Sequence, residues 1–248
     1  MLAAIPIKET TMYEPTRRRL LRDLTGAGVG AAGVGLIGCE GQGGDEAADA
    51  ADAADAAAPS CTLSPEVTEG PYYLDLDKVR RNVTEGRAGL RLDLRIKVVN
   101  ASTCKPLGDV AVEIWHADAG GTYSGFSQEG TAGKTYLRGT QVTDENGLAR
   151  FRTVYPGWYP GRAIHIHMKV HVDGRTLHTG QLFFNESVSD RVGRLSPYNR
   201  RSGTRMRNRE DGIYRQAGSG ALLRLTRRKS STIRAGLTGT ITVGVDSS

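Results

Sequence analysis

The sequence has no apolar run long enough to cross a bilayer. Its uncharged stretch Gly26 to Gly38 falls well short of the roughly 20 residues a membrane helix needs. Cysteine is scarce, with Cys39, Cys61 and Cys104 the only three, so at most one disulfide can close within the chain. Aromatic residues make up 6% of the total, and none interleave with the basic runs Arg191 to Arg194, Arg200-Arg201 and Arg224 to Lys229. The formal net charge of +6 therefore lacks the stacking partners that single-stranded nucleic acid requires. A solvated face, or attraction to anionic lipid headgroups, fits it better. No internal repeat and no long amphipathic helix are evident, which leaves the two-residue period of strands as the dominant signal.

What is present begins with an export pattern. Thr16-Arg17-Arg18-Arg19-Leu20-Leu21-Arg22 is a basic region, Gly26 to Gly38 follows as a short apolar segment, and Leu36-Ile37-Gly38-Cys39 closes it. The arginines resemble a twin-arginine signal and the last four residues a bacterial lipobox. Residues 1–39 are accordingly expected to be a lipoprotein-type signal. Cys39 would become the lipid anchor that holds an exported protein at the outer face of a bacterial membrane. Residues 40–60 open on EGQGGDEAADAADAADAAAP, an acidic, alanine-rich tract with too little apolar bulk to pack, and read as a tether. The mature chain keeps Cys61 and Cys104, an even pair that an oxidising compartment would favour as a disulfide; two free buried thiols are the alternative. Twin-arginine export carries folded proteins, so such a bond would close after folding.

From 61 to 248 the pattern is that of one β domain. Leu90, Leu92, Leu94, Ile96 and Val98 alternate with charged residues, and Val110, Val112 and Ile114 repeat the pattern before Trp115. Thr140 to Thr143 and Leu148 to Val154 flank Asn146-Gly147, a hairpin signal. A strand through His165 to Val172 is expected to turn at Asp173-Gly174 and return over Thr176 to Phe184, and Ile241, Val243 and Val245 form a last alternating run. Together these predict a mainly β fold, an antiparallel β-sandwich whose long loops carry the functional groups.

Candidate chemistry gathers at Tyr155 to His167, YPGWYPGRAIHIH. On a strand, His165 and His167 project from one face and Ile164, Ile166 and Met168 from the other. Two imidazoles side by side make half a metal site, for zinc or copper as readily as for iron, or else two polar residues facing water. Tyr159, six residues before His165 in a Pro-Gly turn, and Tyr123, in a loop just past a strand, change the balance. A phenolate is a hard anionic donor, and two of them with two imidazoles suit ferric iron. Either tyrosine could instead be a packed loop aromatic. Asp118 reads as the cap of its loop, His171 as a solvent-facing residue further along the strand, and His116 and His178 as residues without a ligand role.

The segments EGPYYLD at 69–75, WHADAGGTYSGF at 115–126 and TVYPGWYPGRAIHIHMKV at 153–170 resemble those of the intradiol ring-cleavage dioxygenases, which include the catechol and protocatechuate dioxygenases. The resemblance implies a non-haem Fe(III) site with Tyr123, Tyr159, His165 and His167 as ligands, Tyr159 and His167 being axial. It implies that Tyr159 leaves on substrate binding and acts as a base, that Arg162 stabilises developing negative charge, and that Gln181 positions the substrate. The implied reaction takes a catechol-type diol and O2 to a cis,cis-muconate-type dicarboxylic acid. Residues around Pro71, Tyr72 and 120–124 would discriminate among catechols, and family members that assemble from two or more subunits leave homo-oligomerisation open. A non-catalytic β-sandwich module binding an aromatic or cell-wall ligand, and a zinc or copper protein using the two histidines, are the competing readings.

Overall fold

The computed structural model describes residues 61–228 and 232–247. The expected signal, the Cys39 anchor, the acidic tract and the end of the last basic run lie outside the described residues. Among the described residues eight strands are formed: β1 (Arg91–Asn100), β2 (Ala111–Trp115), β3 (Arg138–Val142), β4 (Leu148–Val154), β5 (His165–Val172), β6 (Arg175–Phe183), β7 (Arg224–Arg227) and β8 (Leu237–Val245). Two short helices, α1 (Glu186–Gly193) and α2 (Gly212–Ala217), follow β6.

The strands make two four-stranded sheets, ordered β4-β1-β8-β7 and β3-β2-β5-β6. Their inner faces share one core. Leu92, Leu94, Ile96 and Val98 of β1 and Phe151 of β4 meet Val112 and Ile114 of β2 and Ile166, Met168 and Val170 of β5. The four β1 residues are wholly buried, and each contributes about 1.5–3 kcal/mol of apolar transfer. The two-residue period thus places the correct face of each strand inward, and the expected mainly β sandwich is what forms.

Two expectations need correction. The Asn146-Gly147 turn does not close a hairpin: β3 and β4 lie in different sheets, so the chain crosses the sandwich there. Asp144 makes the turn by accepting from the backbone N–H groups of Asn146 at 3.0 Å and Leu148 at 2.9 Å. Gly147 then packs against the end of β1, where a Cβ would lie 2.4 Å from the Val98 carbonyl oxygen. Turn chemistry sets the reversal, while burial of Ala149 and Phe151 against β1 decides the partner. Nor is the sandwich wholly antiparallel. β8 runs parallel to β1 from Leu92↔Leu237 to Asn100↔Val245, a direction that alternation of side chains cannot encode.

The outer face of β5 is also covered, so the strand is buried on both sides along its first six residues. The cover is an extended strap leading from Cys61, which a disulfide joins to Cys104 with Cα atoms 5.1 Å apart. The Val67 N–H donates to the Thr179 carbonyl at 3.0 Å, and Glu69 pairs with the buried Lys169 ammonium at 2.6 Å. No helix among the described residues is long and apolar enough to cross a membrane.

Candidate metal centre

The four sequence-predicted donors arrive from two loops and one strand. Tyr123 follows β2 in a loop that Asp118 ties together. One carboxylate oxygen accepts from the N–H groups of Gly120 at 2.8 Å and Thr122 at 3.1 Å, and the other pairs with Arg87. Asp118 is therefore the loop cap its sequence position suggests. The Tyr159 loop is docked on the Tyr123 loop through Gly157, whose N–H donates to the Asp118 carbonyl at 2.9 Å. A Cβ on Gly157 would meet that oxygen at 2.6 Å and the Ala119 carbonyl oxygen at 2.4 Å, so the contact requires glycine. His165 and His167 project from the first half of β5, and both are buried rather than facing water.

Their donor atoms converge. His165 Nε2 lies 3.0 Å from His167 Nε2, 3.3 Å from Tyr123 Oη and 3.2 Å from Tyr159 Oη, and Tyr123 Oη is 3.0 Å from His167 Nε2. His165 Nδ1 sits 2.7 Å from the Ala163 carbonyl, which can only accept, so Nδ1 carries the proton and Nε2 presents a bare lone pair. One lone pair cannot satisfy two phenols and a second imidazole. A cation can: donors about 2.1 Å from a shared ion at right angles stand about 3.0 Å apart. The donor set therefore fits a metal ion better than it fits its own hydrogen bonds. Among the described residues, no three His, Cys, Asp or Glu side chains gather at one point, so the cluster depends on its phenols.

Packing and charge hold the donors in the state a cation needs. Trp115 stacks on the His167 ring with centroids 4.9 Å apart, and Tyr72 of the strap stacks on Tyr123 at 4.1 Å. Burial, with Arg162 nearby, pushes His165 down to about 3, and burial beside His165 pushes His167 well below the usual imidazole value. Both rings are neutral and ready to donate electron pairs. Burial, then the neighbouring Tyr159, raises the Tyr123 phenol; burial also raises Tyr159, opposed by the Tyr123 hydrogen bond and by Arg162. Two ionised phenols in this volume demand a compensating positive charge.

Arg162 and Gln181 meet beside the donors. The Arg162 Nη2–H donates to Gln181 Oε1 at 2.5 Å, and the Gln181 amide donates to the Thr68 carbonyl of the strap at 2.9 Å. Register explains why Gln181 is there, since it sits directly opposite His167 across β5 and β6. On its far side the Arg162 guanidinium is held by Asp211, its Nε–H donating to Oδ2 at 2.9 Å.

Comparison with known proteins bears on this arrangement. A family model described as Dioxygenase matches residues 64–192, which include all six of the predicted site residues. An intradiol ring-cleavage dioxygenase from Tetranychus urticae is 39% identical, with a TM-score of 0.71 over 75% of this chain and 95% of that one. This chain belongs to the intradiol ring-cleavage dioxygenase family. The dioxygenase domain of a dioxygenase and carbohydrate-binding protein fusion from Streptomyces sp. SirexAA-E is 28% identical, with a TM-score of 0.57 over 75% of this chain and 99% of that domain. Catechol 1,2-dioxygenase of Acinetobacter baylyi is 32% identical over 48% of this chain and 45% of its own length. Chlorocatechol 1,2-dioxygenase of Cupriavidus pinatubonensis is 27% identical over 47% and 52%. The chain thus spans about half the length of these curated relatives.

In this dioxygenase-family chain the other histidines stand apart from the donors. His116 is buried between the Ala117 carbonyl at 2.8 Å and the Thr153 hydroxyl at 2.7 Å, and His178 is buried on β6. His171 departs from the solvent-facing expectation. It stays on the face of Lys169, and Glu113 of the neighbouring β2 approaches it to 3.4 Å, so it lies half-buried. Asp211, 1% exposed, is the residue sequence reasoning missed. An Asp-Gly pair in an arginine-rich stretch signals a helix cap, and nothing in the spacing tells that its second oxygen reaches Arg162.

Proposed function

We propose that this chain is a non-haem Fe(III) intradiol dioxygenase that cleaves the bond between the two hydroxylated carbons of a catechol-type aromatic with O2, giving a cis,cis-muconate-type diacid. The observation that carries the reading is the convergence of two phenols and a second imidazole within 3.0–3.3 Å of His165 Nε2, with Tyr123 Oη also 3.0 Å from His167 Nε2. Tyr123, Tyr159, His165 and His167 would hold the ion. Ferric iron bound there would supply a hard Lewis acid that draws electron density from the substrate diol and opens the ring to O2.

The protein's own groups do the rest. Tyr159 is the donor with partial exposure, set in a turn between the exposed Pro160 and the half-buried Trp158, so its phenolate can take a proton from a substrate hydroxyl. Tyr123, fully buried under Tyr72, stays in place. Arg162 offers a fixed positive charge to the anion that develops as the ring reacts, and Gln181 orients the substrate beside it. The stacked rings of Trp115 and Tyr72 exclude water from His167 and Tyr123.

Catechol and oxygen should yield a muconate absorbance that Tyr159→Phe or His165→Ala lowers by at least about a hundredfold. Undiminished turnover in either variant would sink the assignment, and catechol binding without product would favour a binding module. We also propose export and anchoring through Cys39, which rest on the arginine cluster and Leu-Ile-Gly-Cys. Cys39→Ala should shift the protein from the membrane to the soluble fraction; an unchanged distribution contradicts the anchor.

A further inference from the structure

We propose that Asp211 is a positioning residue of this site, one buried carboxylate that fixes both the Arg162 guanidinium and the backbone that orients His165; the inference rests on the function proposed above. The two oxygens of Asp211 divide the work. Oδ1 accepts from the N–H groups of Ile213 at 2.8 Å and Tyr214 at 3.3 Å, capping α2. Oδ2 reaches residues 49 and 48 positions earlier in the chain, accepting from Arg162 Nε at 2.9 Å and from the Ala163 N–H at 2.8 Å. A helix cap needs only the first oxygen, and a neutral residue would serve it. The second oxygen, and the negative charge, are used only by the Arg162-Ala163 segment.

That segment needs fixing. Arg162 leaves a turn whose Pro160 and Gly161 are exposed, and a free arginine there has many rotamers. With Nε held by Asp211 and Nη2 held by Gln181, the guanidinium plane has one orientation beside the donors. The same carboxylate grips Ala163, whose carbonyl takes the His165 Nδ1 proton at 2.7 Å and thereby sets which imidazole nitrogen faces the other donors. Asp211 lies beyond residues 64–192, the span of the family match, so the support comes from a separate part of the chain.

A double-mutant cycle on the iron-loaded full chain tests this. Asp211→Asn keeps the size and an acceptor for α2. We expect it to lower kcat about 10- to 100-fold with little change in KM, in Tm or in the visible tyrosinate band. In an Arg162→Ala background the same substitution should cost clearly less kcat than in the wild type, because only the route through Ala163 to His165 is left to disturb. Losses that multiply in both backgrounds, or an Asp211→Asn enzyme with wild-type kcat, would overturn the positioning role. Should the wild-type chain turn over no catechol, the proposed function fails instead. The pairing is then read from unfolding: Asp211→Ala should depress Tm less in the Arg162→Ala background than in the wild type, and equal losses overturn it.

Discussion

At the scale of single residues, burial decides protonation. His116, pushed by burial down to about 4, His165, down to about 3, and His167, lower than usual, are all neutral in the folded chain. An unfolded chain protonates its histidines near pH 6.5, about the usual value. Above that pH both states are neutral and the full stability is present. As pH falls further, the unfolded state gains protons that the folded state refuses, so stability is lost down toward the folded values. We expect the Tm of iron-free protein to fall steadily from about pH 6.5 to pH 4, followed by calorimetry; a flat Tm across that window contradicts the neutral, buried imidazoles. The six residues named from the family resemblance lie beside one another in the structure, the four donors at one point and Arg162 and Gln181 next to them. Asp211 was not legible, because an aspartate that caps a helix looks the same in sequence whether or not its other oxygen holds an arginine.

At the scale of elements, β5 joins the core to the site. Ile166 and Met168 face the other sheet while His165 and His167 face the donors, so packing on one side sets the geometry on the other. Met168 is wholly buried, and Met168→Ala should cost about 2–5 kcal/mol in chemical denaturation and loosen iron retention with it. A loss below about 0.5 kcal/mol would show that β5 is not anchored in this way. The period of two revealed which side chains point inward. It did not reveal which strands pair, and so the Asn146-Gly147 turn read as a hairpin although its flanks belong to opposite sheets, and β8 gave no sign of running parallel to β1. Both are settled by contacts distant in sequence, which alternation does not carry. His171 was misread for a similar reason, since the Glu113 carboxylate that partly covers it comes from β2, far from it in sequence.

For the molecule as a whole, two loops, a strand and a covering strap bring four donors to one point, and Arg162 and Gln181 stand beside them under the hold of α2 and the strap. The strap's described end at Cys61 is tied to Cys104, so the strap is fixed to the turn after β1. The central claim is that this point is a ferric site bounded by tyrosinates. The most direct measurement is the visible spectrum and metal content of concentrated protein produced with ample iron, taken for the wild type and for Tyr123→Phe. Stoichiometric iron and a reddish tyrosinate-to-iron band, weakened and shifted in Tyr123→Phe, are the expected result. A colourless protein without iron, or a band indifferent to Tyr123, would contradict it.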